Sequence, residues 1–150
     1  MNAFWSLLGR ISISLVFLFA AANKILHWEE SETYFLSSLN AWHAYAGTMP
    51  KVQDIFSFLI PLAPILLLIA TIFEGLGGLL LFIGVRLKAG ATLLILALIP
   101  ATLIMHPFWI AVGADAQMQL VMFLKNIGIL GGLFLLLAAG AGKKAKPSKE

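Results

Sequence analysis

The chain has 150 residues, 61% of them hydrophobic, with no cysteine, a net charge of +3 and a mean hydropathy of +0.97. Soluble domains carry about 45–50% apolar residues, so the excess here must face lipid, which excludes a water-soluble globule. The lack of cysteine excludes disulfide scaffolding, thiolate metal sites and thiol–disulfide exchange within the chain. Four lysines (Lys143, Lys144, Lys146, Lys149) crowd the last eight residues. That pattern describes a solvated tail beside a membrane, and no nucleic-acid partner is expected.

Four apolar stretches are long enough to cross a hydrocarbon layer of ~30 Å, which takes about 20 helical residues. They run over Trp5–Leu26, Ile55–Val85, Ala89–Val112 and Gln117–Ala139. Lipid offers no partner to an unpaired backbone group, and nothing alternates as barrel strands would, so each is predicted helical. On the first, Arg10, Ser14, Phe17, Ala21 and Lys24 share one helical stripe. Arg10 before an apolar core, with small residues in "FLFAAAN", also fits a cleaved signal peptide, but Arg10 sits late for one.

The loop that follows, "HWEESETYFLSSLNAWHAYAGTMPKVQD", sets Glu29, Glu30, Glu32 and Asp54 against Lys51. Phe35, Leu39 and Trp42 fall at i, i+4, i+7, predicting an amphipathic helix on the membrane surface, with Trp28, Tyr34 and Tyr45 as interfacial aromatics. The second span is overlong, and Pro61 and Pro64 predict a kink or an interfacial first turn. Within it Glu74 aligns with Gly77, Gly78 and Leu81. The loop "VRLKAG" carries Arg86 and Lys88. Cationic loops stay cytoplasmic, so both termini are expected inside and the long first loop outside.

On the third span Thr92, Ile99, Thr102 and His106 align. His106, in "MHPFW", reads first as an interfacial or capping histidine, and alternatively as a proton acceptor beside a quinone. On the fourth, Lys125 aligns with Gly128 and Gly132, a GxxxG pair of the kind that brings membrane helices close and also permits homo-oligomer contacts. Spans two and four share a faint echo, polar residue then glycines, leucines, glycine and basic residues. Residues 1–142 read as one membrane domain and 143–150 as a basic cytoplasmic tail.

Intramembrane charges cost about 2.5–3.5 kcal/mol each near mid-membrane and normally face the bundle interior. The stripes direct Arg10, Lys24, Glu74, His106, Lys125 and Asn126 inward, as candidate ligand-binding residues. Counting about 1.5 Å per residue places Arg10 and Glu74 at similar depth in the cytoplasmic half, so Arg10–Glu74 is the expected structural ion pair, with Lys125 as the other candidate partner of Glu74. Lys24 can snorkel to the outer interface. Lys125 cannot do so easily, and its surplus charge points to an amphiphile pocket taking a lipid phosphate or a quinone oxygen. Haem between two helices needs a second intramembrane histidine, and His27 and His43 lie in the loop, so no haem or metal is expected. No GxSxG, HExxH, GxGxxG or phosphate loop is present.

The segments "LLGRISISLVFLFAAANKIL", "FEGLGGLLLFIGVRLKAGATLL", "MHPFW" and "FLKNIGILGGLFLLLAAGAGK" together resemble the DoxX family of small four-span membrane proteins. The tail "GAGKKAKPSKE" departs from the glycine–basic–Ser-Leu-Asp ending of many members. The resemblance implies a bacterial or archaeal cell (inner) membrane protein. It also implies a link to thiosulfate:quinone oxidoreductase or to oxidative-stress and detoxification proteins. The expectation is therefore an all-α, four-helix transmembrane bundle with a short outer amphipathic helix between spans one and two. It would bind a quinone, carry no cofactor of its own, and serve a redox protein partner as a non-autonomous subunit. The alternatives are a lipid or small-anion binding or transport module, and a scaffold for soluble partners.

Overall fold

A computed structural model describes residues 3–141, and the basic tail lies outside them. The chain forms α1 (Ala3–Leu26), α2 (Trp28–Tyr45), α3 (Pro50–Leu59), α4 (Ala63–Ile83), α5 (Leu87–Met105) and α6 (Ala114–Ala141), with no strand among the described residues. Four segments are long and apolar enough to span a membrane: Phe4–Leu26, Pro50–Ile83, Leu87–Met105 and Ala114–Ala138. The expected helical bundle is what the chain builds.

The overlong second span is broken by a 3-10 turn at Ile60–Leu62. Pro61 has no N–H to continue the ladder of α3, and Pro64 suits the first turn of α4, where that donor would be unpaired anyway. The 21 residues left in α4 are long enough to span the hydrocarbon layer, at about 1.5 Å each. α4 stops at Gly84, whose φ of +80° turns its N–H back toward the Leu80 and Leu81 carbonyls at 3.2 Å. α5 ends at Met105, about two turns before the expected Val112. His106 precedes Pro107, and a residue before proline is pushed out of the helical region, here to φ −126° and ψ 50°.

α4 is the centre of the bundle. It packs on α1 and on α5; α6 leans mainly on α5 and meets α1 only loosely. Glycines decide the close approaches. A Cβ on Gly77 would stand 2.8 Å from the Leu94 side chain and 2.9 Å from the Gly90 carbonyl, so the α4–α5 contact excludes any side chain there. One core unites Phe17, Leu81, Leu94 and Leu133 across all four spans. A second, of Phe35, Leu39, Phe56, Ala63 and Leu67, seats α2 and α3 against the end of α4. The expected amphipathic helix is therefore α2, and its Phe35–Leu39 stripe is buried as the spacing indicated.

Two stripes read from the sequence need correction. Thr92 and Ile99 are exposed; α5 instead buries Gly90, Ala91, Leu94, Ile95, Ala97, Leu98 and Thr102. A mostly aliphatic helix carries little polarity contrast, so its few hydroxyls misreport the buried face. On α6, a Cβ on Gly132 would stand 2.8 Å from the Ile13 side chain whereas one on Gly128 would have nothing within 4 Å, so the GxxxG pair is not one packing surface within the chain.

Candidate functional site

Glu74 comes from the buried face of α4, on the turn that also carries Gly77 and Gly78. Its carboxylate accepts a hydrogen bond from the Lys24 ammonium at 2.6 Å, with side-chain exposures of 7% and 17% respectively. Helical side chains lean toward their own N-terminus. α1 and α4 are antiparallel, so Lys24 leans back into the bundle while Glu74 leans toward the α2 end, and the two meet. A close N–H···O bond between them gives each group a partner where neither has much water.

The expected Arg10–Glu74 pair is thus overturned. Treating Ile55–Val85 as one continuous span set the midpoint of the second helix too early and Glu74 too deep toward the Arg86 loop. With α4 starting at Ala63, Glu74 lies near mid-helix and Gly75 faces Ala21. Arg10 lies about four turns nearer the start of α1, and its guanidinium rests against Gly84, at the opposite end of α4. The lysine that sequence reasoning sent to the interface is the true partner.

Behind the ion pair lies a cavity of about 530 Å³. Lys24, Glu74, His106, Lys125 and Asn126 all line it; among the expected ligand residues Arg10 does not. The rest of the wall is apolar, with Phe17, Phe73, Leu98 and Pro100 prominent. Pockets of about 300–1,000 Å³ with apolar walls and a few convergent polar groups are the usual form of a small-molecule site. Several lining residues, among them Val16, Ile69 and Leu96, are also exposed on the outer surface of the bundle. The cavity is therefore reachable from the side, through the face that lipid would cover.

The polar groups differ in how well they are satisfied. Asn126 is only 7% exposed, yet its amide makes no hydrogen bond among the described residues. It forms part of the cavity wall. Lys125, beside Asn126, is exposed, so the fully inward placement its stripe predicted is not what the structure shows; its ammonium hydrogen-bonds the Met122 sulfur at 3.2 Å and has no carboxylate within ion-pair distance among the described residues. His106 is held differently. Its Nδ1 lies 2.8 Å from Gln119 Oε1, an oxygen that can only accept, so Nδ1 donates in this contact and Nε2 is left without a hydrogen-bond partner among the described residues. Gln119 Nε2 lies 3.5 Å from the Tyr34 hydroxyl, which itself donates to the Met105 carbonyl at 3.3 Å.

Gln119, Tyr34 and Met122 were missed from sequence. The signal for Gln119 was present: it stands seven residues before Asn126, on the same face of α6. Tyr34 and Met122 carried none, because they act only through tertiary neighbours. Among the described residues no three His, Asp or Glu side chains gather as metal ligands would. The DoxX family model matches residues 5–107, more than half of the chain, covering α1 to α5 and with them Lys24, Glu74 and His106. Lys125 and Asn126 lie on α6, beyond the matched stretch. No curated protein and no solved structure matches the chain.

Proposed function

The chain belongs to the DoxX family of membrane proteins, and from that premise and the cavity we propose that it binds a membrane-dissolved amphiphile whose polar end is a quinone. The observation that carries this reading is Asn126: a buried amide with a donor and an acceptor to spare, facing an apolar space beside an ammonium. A buried polar group left unpaired costs about 1–3 kcal/mol, and a ligand carbonyl received by Asn126 and Lys125 removes that cost. Lys24 and Glu74 already satisfy each other, so they shape the polar wall rather than hold the ligand. With Nδ1 engaged by Gln119, Nε2 of His106 is the ring atom free to meet the ligand's polar end.

In this reading the chain presents the quinone to a redox or detoxification partner, which brings the electron carrier. It sits in the cell (inner) membrane with both termini cytoplasmic, as the Arg86–Lys88 loop against the acidic α2 end supports. Purified protein, extracted with organic solvent and analysed by chromatography and mass spectrometry, should release quinone. Asn126→Leu and Lys125→Met should each lower its occupancy roughly tenfold, the loss expected for one hydrogen bond of this kind. Release of no quinone from native membrane preparations, with none bound on titration, would refute the reading.

A second reading has its own observation, the uncompensated charge of Lys125. One cationic group beyond the Lys24–Glu74 pair would also suit the headgroup of a single-charged lipid or a small anion. Phospholipid or another anion in the extract, lost in Lys125→Met and kept in Asn126→Leu, would select it.

A further inference from the structure

The far end of the bundle carries a second polar feature, separate from the cavity. Arg10 leans toward the start of α1, and its guanidinium lies against Gly84 where α4 turns into α5. A Cβ on Gly84 would stand 2.6 Å from Nη1, so only glycine leaves this seat open. Arg10 Nε is fully occluded and has no hydrogen-bond partner. No carboxylate is within ion-pair distance of the guanidinium, and no hydrogen bond from it is formed among the described residues.

The surroundings are one-signed. Arg86 and Lys88 follow Gly84 by two and four residues, and both are exposed. The acidic side chains of the described chain lie elsewhere: Glu29, Glu30 and Glu32 on α2, Asp54 on α3, Asp115 at the start of α6, and Glu74 already bound to Lys24. A guanidinium is a planar fork of five donors that matches phosphate oxygens two at a time. Its seat at the end of a spanning helix puts it at the depth of lipid headgroups, the usual destination of a snorkelling arginine.

We propose that Arg10, with Arg86 and Lys88, forms a site for the phosphodiester of an acidic phospholipid at the α4–α5 end. The Arg10 fork takes the phosphate oxygens in the Gly84 seat, and the two exposed cations select a lipid of net negative charge over a zwitterion. This site is independent of the cavity and of its ligand.

Native mass spectrometry of the full chain, supplemented with phosphatidylglycerol or phosphatidylcholine, tests it. Wild type should retain phosphatidylglycerol in preference to phosphatidylcholine. Arg10→Gln should weaken that retention roughly tenfold, as expected for loss of a charge-assisted pair. Arg10→Lys preserves charge and guards against a folding defect; it should fall between the two, since an ammonium cannot make the forked contact. Equal retention by wild type and Arg10→Lys, or no preference between the lipids in wild type, would overturn the proposal. Equal protection by inorganic phosphate alone, read as a thermal shift, would also overturn it by assigning the seat to a free anion.

Discussion

Glu74 and Lys24 are bonded at 2.6 Å in a part of the chain where a membrane would offer neither ion much solvent. Removing one partner of a buried pair strands the other and costs about 3–5 kcal/mol, and the 17% exposure of Lys24 sets the expectation toward the lower figure. Glu74→Leu should therefore lower the unfolding free energy by about 3 kcal/mol. Lys24→Met combined with Glu74→Leu should recover most of it, because an apolar pair of similar volume needs no hydration. Equilibrium denaturation in mixed micelles measures both. A double-mutant cycle separates the true pair from the one the sequence suggested: Lys24 and Glu74 should couple by more than about 1 kcal/mol, and Arg10 and Glu74 should be additive within about 0.5. The inward placement of Glu74 was legible from its neighbours Gly77 and Gly78. Its partner was not, because choosing between Arg10 and Lys24 needs the axial offset of two helices.

At the scale of elements, contact distance rather than motif membership decides what a glycine does. Gly77→Ala should destabilise the bundle by about 1–3 kcal/mol, since its Cβ would meet both the Leu94 side chain and the rigid Gly90 backbone. Gly128→Ala should change stability by no more than about 0.5 kcal/mol, or raise it slightly through helix propensity, because no atom lies within 4 Å. Thermal unfolding of the two variants side by side checks this, and equal losses would contradict it. α2 and the four spans were legible because their periodicity and length are local properties. The end of α5 was overrun, although Pro107 marked it, because apolar composition continues through "FWIAV" after the backbone has left the helix.

For the molecule as a whole, topology is open to direct measurement. The absence of native cysteine means that Ser37→Cys and Lys88→Cys each introduce one unique thiol, and both positions are exposed. With both termini cytoplasmic, a membrane-impermeant maleimide should label Ser37→Cys in intact cells and Lys88→Cys only after permeabilisation. The reverse pattern would invert the orientation and place the Arg10 seat on the outer leaflet. The cavity belongs to this scale too. It draws walls from α1, α4, α5 and α6 and a cap from α2 and α3, so no single segment encodes it. Glu74 and Asn126 were nonetheless foreseeable, since a carboxylate or amide at membrane depth turns inward to avoid lipid, whereas Arg10 lies outside the cavity and Lys125 is exposed at its edge.

The sequence alone determined that the chain crosses a membrane as a helical bundle, how many times, and that Glu74 and Asn126 turn from lipid. Length, hydropathy and helical period are properties of the chain itself and need no partner to be read. Only the tertiary structure decided that Glu74 bonds Lys24, that Arg10 is seated apart at Gly84, and that Asn126 opens onto a cavity with its amide unspent. Those facts depend on the relative shift and rotation of packed helices. Displacing one helix by a single turn, about 5.4 Å, would exchange every partner while leaving each pattern in the sequence unchanged.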